Sequence, residues 1–274
     1  MTSRATTCCT HSGSFHADDV FATALLKLRF EDDIVVTRTR DPEIIASSDI
    51  VYDVGGVFDR AKLRFDHHMA DFPRRDDGRP YSSVGLIWSE YGVTILSELS
   101  GRALPIRELQ DIAAEIDREF IAPIDMIDNG VTAPTATDIT VAIDLFNPTW
   151  MAKGSDEAVD AAFFKAVEFA RGVLLRLFDD KFAQYRAETE VHEAAMTAED
   201  PRLLELNRSV PFRTAVHRLG LKDLLYVVSP SGNKGNWGVT AVSVEPNSFV
   251  NRKDMPAGWA GLTDEQLRRE TGVD

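Results

Sequence analysis

Apolar and polar positions alternate in blocks that set out an α/β arrangement. Residues 5–10 read as a buried strand, followed by the polar loop His11-Ser12-Gly13-Ser14-Phe15-His16. Apolar positions 20, 21, 24, 25 and 28 then recur at helical spacing, which predicts a helix over 17–30. Ile34-Val35-Val36 and Ile50-Val51-Tyr52 predict further buried strands. Between them Asp41-Pro42-Glu43 opens a short helix, with Pro in a favoured early position. Lys62-Leu63-Arg64-Phe65 reads as another short strand. Strand, helix, strand, helix, strand in this order predicts a parallel sheet with helices against it.

Ser82-Ser83 predicts a helix cap, with the helix running to about 99, and a further helix follows over 105–120. The Gly-, Pro- and Thr-containing stretch 129–137 predicts a loop. From 156 to about 195 the pattern is long and helical, its apolar stripe supplied by Phe163, Phe164, Val167, Ala170, Val173, Leu174 and Leu177. After Pro201 short strands are expected over 203–206, 224–228 and 238–244. The change of character places a boundary within 190–202, giving domains 1–195 and 196–274.

Composition narrows the function classes. The 274 residues, 44% apolar and 27% charged, suffice for a full core. No window approaches about eighteen consecutive apolar residues, so no membrane span is expected. Met1-Thr2-Ser3-Arg4 lacks the features of a secretory signal or a transit peptide. The two cysteines, Cys8 and Cys9, are strand neighbours pointing to opposite faces, so two buried thiols and a reducing, cytoplasmic location are expected. The net charge of −14 argues against a general duplex-binding face, while leaving room for a short single strand or a nucleotide held beside metal ions.

Four clusters place His or Asp just after a predicted strand or at a helix start. They are His11-x4-His16-x-Asp18 followed by Asp19, Asp53 in Tyr52-Asp53-Val54-Gly55-Gly56, Asp66-His67-His68, and Asp125-x-x-Asp128-Asn129-Gly130. In an open α/β sheet the loops beyond the carboxyl ends of the strands gather at one edge, where ligands bind. Imidazole with carboxylate suits Mn²⁺, Fe²⁺ or Zn²⁺. Two such ions about 3.5–4 Å apart, sharing a carboxylate, would activate water and neutralise a phosphoryl oxygen. Taken alone, Asp66-His67-His68 reads as a solvated loop, Asp53-Val54-Gly55-Gly56 as a turn, and Asp125 and Asp128 as turn caps. Their conjunction, with four of the six histidines between 11 and 68, favours metal.

These motifs, with Ser82-Ser83-Val84-Gly85-Leu86, Ser248-Phe249-Val250-Asn251-Arg252-Lys253-Asp254-Met255-Pro256 and Trp259-Ala260-Gly261-Leu262, resemble the MYG1 family, also called the UPF0160 group, across nearly the whole chain. The resemblance implies a DHH phosphoesterase-like N-terminal domain with a parallel sheet flanked by helices, plus a smaller α+β C-terminal domain, with the site in the cleft between them. It implies a metal-dependent hydrolase: a 3′–5′ exonuclease on single-stranded RNA, using one or two Mn²⁺ ions, with Mg²⁺, Fe²⁺ or Zn²⁺ as alternatives. His11, His16 and Asp18 would match the first metal motif, Asp53 a bridging carboxylate, and Asp66 and His67 the signature motif. His68 would stand beside the scissile phosphate or complete the metal shell, and Asp128 or Asp125 would match the fourth motif. His16 stands where the wider superfamily has an Asp, which leaves the metal's identity open.

Substrate contacts are expected from Asn251, Arg252 and Lys253, and from Arg74 near Arg75 and Arg79, although Asp71, Asp76 and Asp77 interleave with these arginines. Asn233, Lys234 and Asn236 are weaker candidates, and Trp237 and Trp259 would stack on a base or fill a core. The family pattern continues beyond the final Leu267-Arg268-Arg269-Glu270-Thr271-Gly272-Val273-Asp274, so either the chain is truncated or this member lacks that element, and part of the substrate-gripping surface is expected to be missing. Alternative classes are a non-catalytic metal- or partner-binding protein, a hydrolase of a small nucleotide, and an amide hydrolase. Homo-oligomer formation is compatible with all of them.

Overall fold

The computed structural model describes residues 4–31, 33–152, 154–231, 236–246 and 248–272. By contacts the chain divides into two units, Met1–Phe178 and Asp179–Asp274. The first is built on a sheet of β1 (Thr6–Thr10), β2 (Ile34–Arg38), β3 (Ile50–Tyr52), β4 (Phe58–Asp59) and β5 (Arg64–Phe65) in the order β2-β1-β3-β5-β4. β1, β2, β3 and β5 run parallel, and β4 pairs antiparallel with β5. The sheet is therefore mixed where the sequence pattern predicts a parallel one. The cause is local: after the glycine turn at 55–56 the chain forms a two-residue hairpin arm too short to read as a strand.

Period-two alternation sends β3 side chains to opposite faces. Tyr52 reaches one face, where its hydroxyl meets Thr23 Oγ1 of α1 (Ala17–Phe30) at 2.6 Å. Val51 reaches the other and packs with Cys9, Val54 and Ile45 of α2 (Pro42–Ser47). Helices thus cover both faces, as a parallel core requires. Cys8 and Cys9 are both buried free thiols on β1.

α3 (Ser83–Leu99) and α4 (Ile106–Ile116) complete the layer, with the Trp88 indole donating to Ala113 O at 3.1 Å. The helix predicted over 105–120 continues through a wide turn at Asp117–Ile121 into α5 (Ala122–Asp128). Pro123 has no N–H to give to residue 119, and the ladder widens there. A short helix not expected from the sequence, α6 (Ile139–Asp144), follows the 129–137 loop. α7 (Asp156–Thr197) runs through the division between the units. The compositional change at 190–202 marks the end of this helix, whereas the change of packing partners falls inside it.

The second unit holds a sheet of β6 (Leu203–Glu205), β7 (Tyr226–Ser231) and β8 (Asn236–Ala241), with β6 parallel and β8 antiparallel to β7. Its core joins Val191 of α7 to Leu204, Val216, Leu224, Val227 and Val242. The helices α8 (Phe212–Arg218) and α9 (Asp264–Thr271) lie outside the elements expected from sequence: each is about two turns long, too short for the pattern to stand out, although Phe212, Ala215 and Val216 of α8 face the core. Among the described residues no helix is long and apolar enough to cross a membrane.

Candidate metal centre

Three of the four motifs leave the carboxyl ends of neighbouring parallel strands. His11 follows β1, Asp53 follows β3 and Asp66 follows β5. Because these strands are adjacent in the sheet, their exits converge at one edge. Asp53 turns there with φ +55°, a left-handed conformation that Asp tolerates better than most residues, and Gly55 and Gly56 continue the turn at φ +97° and +68°. The Gly56 N–H then donates to Asp66 Oδ2, tying the β3 exit to the β5 exit.

Asp53 is the hub. Its Oδ2 lies 3.2 Å from His11 Nε2, and its Oδ1 lies 3.3 Å from His67 Nε2. Asp19 Oδ2 adds to the His11 side at 3.3 Å. On the His67 side, Nε2 also meets Asp128 Oδ2 at 3.3 Å and Asp18 Oδ2 at 3.8 Å. Among the described residues three groups able to hold a metal ion result: His11, Asp19 and Asp53; Asp53, His67 and His68; and His16, Asp18 and Asp128.

The other ring nitrogens are anchored away from this cluster. His11 Nδ1 lies 3.2 Å from Ser12 O, and His67 Nδ1 lies 3.4 Å from Asn129 Oδ1. An Nδ1–H donated to an oxygen leaves the Nε2 lone pair for a cation, the usual arrangement of a ligating histidine.

Both oxygens of Asp18, Asp19 Oδ2, Asp53 Oδ1 and His67 Nε2 are buried without a hydrogen-bond partner among the described residues. They crowd together at 3.3–3.8 Å without the geometry of hydrogen bonds. Leaving several carboxylate atoms in this condition is costly unless a cation completes them. The donor set of neutral imidazole and carboxylate fits a divalent ion.

The titration behaviour follows from the same crowding. Burial pushes the Asp18 carboxyl well above the usual range, and the Asp53 and Asp128 charges push the same way. Burial likewise raises Asp19 and Asp128. Asp53 moves down: burial opposes this, but the His11 and His67 rings outweigh it. Burial works against a charged His11, yet Asp19 and Asp53 prevail and raise its pKa to about 10. Without a cation, protons on histidine do the neutralising.

A cavity of about 820 Å³ opens over the cluster, lined by His11, His16, Asp18, Asp53, His68 and Asp128 among others, all in the first unit. The loop carrying His11 and His16 is braced from outside the cavity. Asn147 clamps both backbone groups of Phe15, at 3.1 and 2.8 Å, and buried Arg38 donates to Gly13 O at 2.6 Å.

Several expected site residues take other positions. Asp66 lies outside all three groups: Oδ2 accepts from Gly56 N, while Oδ1 accepts from His67 N at 2.7 Å and His68 N at 3.1 Å. It also holds His68 Nδ1 at 2.8 Å, which leaves that exposed ring on the cavity wall and raises its pKa. Asp125 turns away from the cluster. It pairs with Arg75 at 2.6 Å and accepts from Ser82 Oγ at 2.7 Å and Gly85 N at 3.1 Å, so of the two acids in the fourth motif only Asp128 joins a group. Ser82 accordingly makes no side-chain cap on α3.

The expected substrate contacts are mostly engaged. Arg252 donates to the carbonyls of Leu221, Lys222 and Leu224, bracing its own unit. Asn251 donates to Asp254, Arg74 to Gly78 O, and Lys253 is exposed. Trp237 is half-exposed on β8 and Trp259 half-buried in a short turn. Asn233 and Lys234 lie outside the described residues.

Asp19 joins the cluster, although the sequence reading sets it beside the first motif without a ligand role. Its Oδ1 does cap the helix, accepting from His16 N at 2.9 Å, while Oδ2 faces His11. The signal was the second acid of Asp18-Asp19, for which a helix start needs only one.

The chain as a whole is similar to known proteins. The family described as Uncharacterised protein family (UPF0160) matches residues 7–274. The human protein named MYG1 exonuclease is 31% identical over 96% of this chain and 77% of its own length. The MYG1 protein of Dictyostelium discoideum is 30% identical, covering 98% of this chain and 88% of its own. A MYG1 protein of Saccharomyces cerevisiae is 29% identical, covering 97% and 86%.

Proposed function

This chain belongs to the UPF0160 family, and from that premise we propose that it is a metal-dependent nuclease that removes nucleotides from the 3′ end of single-stranded RNA, with Mn²⁺ as its natural ion. Its human and bovine relatives are named MYG1 exonucleases, which favours a nucleic acid as substrate. In the same reading the first unit is a DHH phosphoesterase-like domain.

The observation that carries the proposal is the sharing of Asp53 between the His11–Asp19 side and the His67 side. A carboxylate so placed suits two ions rather than one. Bound there, such ions supply Lewis acidity toward a phosphoryl oxygen and a lowered pKa for water. His11, Asp19 and Asp53 would hold one, and Asp53, His67, Asp18 and Asp128 the other.

The chain's own residues supply the rest. Asp66 accepts from His68 Nδ1 and favours the protonated ring, and in that form Nε2–H would donate a hydrogen bond to a phosphate oxygen. Asp66 also holds the backbone of His67 and His68 in place. Asn129 and Ser12 keep the Nε2 atoms of His67 and His11 directed at the carboxylates. A cavity of about 820 Å³ accommodates a terminal nucleotide and its neighbour.

The test is hydrolysis of a 5′-labelled single-stranded RNA with Mn²⁺ and with chelator. Progressive shortening from the 3′ end that chelator abolishes is expected. An intact RNA at saturating Mn²⁺ would refute the proposal.

A further inference from the structure

Arg40 has no place in the metal cluster, and nothing in the sequence motifs singles it out. β2 ends at Arg38, and Thr39 N still pairs with Thr10 O at 2.8 Å, so Arg40 leaves the sheet at the same edge as His11. The next residue is also fixed: Asp41 caps α2 by accepting from Glu43 N at 2.8 Å. A well-held backbone therefore presents the Arg40 side chain, which is exposed on the wall of the cavity that Asp53, Asp66 and Asp128 line.

Among the described residues lining that cavity, Arg40 is the one Lys or Arg. It makes no ion pair or hydrogen bond with any described residue. Other arginines of the same unit behave differently: Arg38 pairs with Asp160, Arg64 donates to the Asp49 and Ser48 carbonyls, and Arg75 pairs with Asp117 and Asp125. In a chain of net charge −14, a guanidinium unpaired on the wall of an acidic cavity is available to an anion from outside. It makes no ion pair with the cluster's carboxylates, so its charge is not engaged by the groups that would hold the metal ions.

We propose that Arg40 clamps a second phosphate of the substrate, next to the scissile one, and so makes the site prefer oligonucleotides to esters with a single phosphate. This rests on the phosphodiesterase reading above. The planar guanidinium fork suits two oxygens of one phosphate, and Lys would supply charge without that geometry.

The experiment compares the dinucleotides pApA and ApA, which share one scissile diester and differ by the 5′-phosphate, on the unsubstituted chain, Arg40→Ala and Arg40→Lys. The unsubstituted chain should favour pApA. Arg40→Ala should raise KM for pApA about tenfold with little change in kcat, leave ApA unaffected, and abolish the preference. Arg40→Lys should fall between them. Equal losses on both substrates, or none, would overturn the assignment. If the unsubstituted chain cleaves neither dinucleotide, the phosphodiesterase reading falls, and fluorescence anisotropy with labelled pApA in Mn²⁺ still decides the question for Arg40. Weaker and less salt-dependent binding by Arg40→Ala would uphold the phosphate contact. Unchanged binding would remove it.

Discussion

The two oxygens of Asp53 face different histidines, Oδ2 lying 3.2 Å from His11 Nε2 and Oδ1 3.3 Å from His67 Nε2. The residue manages this because the chain leaves β3 in a left-handed turn, at φ +55°. Such a conformation costs a non-glycine residue of order 1–3 kcal/mol and persists where surrounding contacts enforce it.

Asp53→Asn tests the shared carboxylate with the least disturbance, since Asn also tolerates the left-handed region. We expect the fold to survive by circular dichroism. Metal affinity and hydrolysis should fall by more than the ~10–100-fold typical of residues that merely support ligands. Unchanged Mn²⁺ affinity by calorimetry would contradict this role.

Asp19 and Asp66 should separate by behaviour. Asp19→Asn keeps an oxygen for the helix cap and removes a charge from the His11 side, so it should weaken metal binding with little loss of thermal stability. Asp66→Ala removes the acceptor of three backbone N–H groups. An unsatisfied buried donor costs about 1–3 kcal/mol, so this variant should melt several degrees lower even with chelator present. Equal melting temperatures for Asp66→Ala and the unsubstituted chain would overturn the bracing role.

Much of this centre was legible in sequence because three of the four motifs directly follow a strand. Periodicity located β1 and β3, and the short β5 fell within a predicted strand, so the convergence of His11, Asp53 and Asp66 followed from parallel order alone. What periodicity misses is direction. Asp125 and Asp128 differ by three positions on one helix, and only packing turns Asp125 toward Arg75 and Asp128 toward His67. Asp66 sits in the most recognisable motif, yet its oxygens are taken by backbone donors that sequence cannot register. β4 and α6 were missed because their few residues carry no period, and Arg40 because an isolated Arg after a strand has no motif.

The Ser82-Ser83-Val84-Gly85 segment has a structural purpose that predicts a sharp defect. A Cβ on Gly85 would come within 2.1 Å of Asp125 Oδ2. Gly85→Ala should therefore dislodge Asp125 from Arg75. Arg75→Ala breaks the same buried pair directly and should cost about 3–5 kcal/mol. Chemical denaturation of both variants should show large losses of stability. A loss under about 1 kcal/mol for Arg75→Ala would show that the pair is dispensable.

Metal uptake should release protons. The folded, metal-free His11 has its pKa raised to about 10, so its ring is protonated at neutral pH. The charged ring's pairing with Asp19 and Asp53 stabilises the metal-free fold fully below the unfolded value near 6.5, and this contribution is lost as pH rises through about 10. A ligating ring must be neutral, so metal competes with that proton throughout this window, and apparent affinity rises with pH. Calorimetry in buffers of different ionisation heat should register proton release at pH 7, and zero release would contradict the assignment of His11 as a ligand.

The claim on which the rest depends is that Asp53 is shared between two ions. Crystals grown with Mn²⁺ and measured at its absorption edge test it directly. The account predicts two anomalous peaks, one on the His11–Asp19 side of the Asp53 carboxylate and one on the His67–Asp128 side. A single peak not touching Asp53, or none at saturating Mn²⁺, would contradict it.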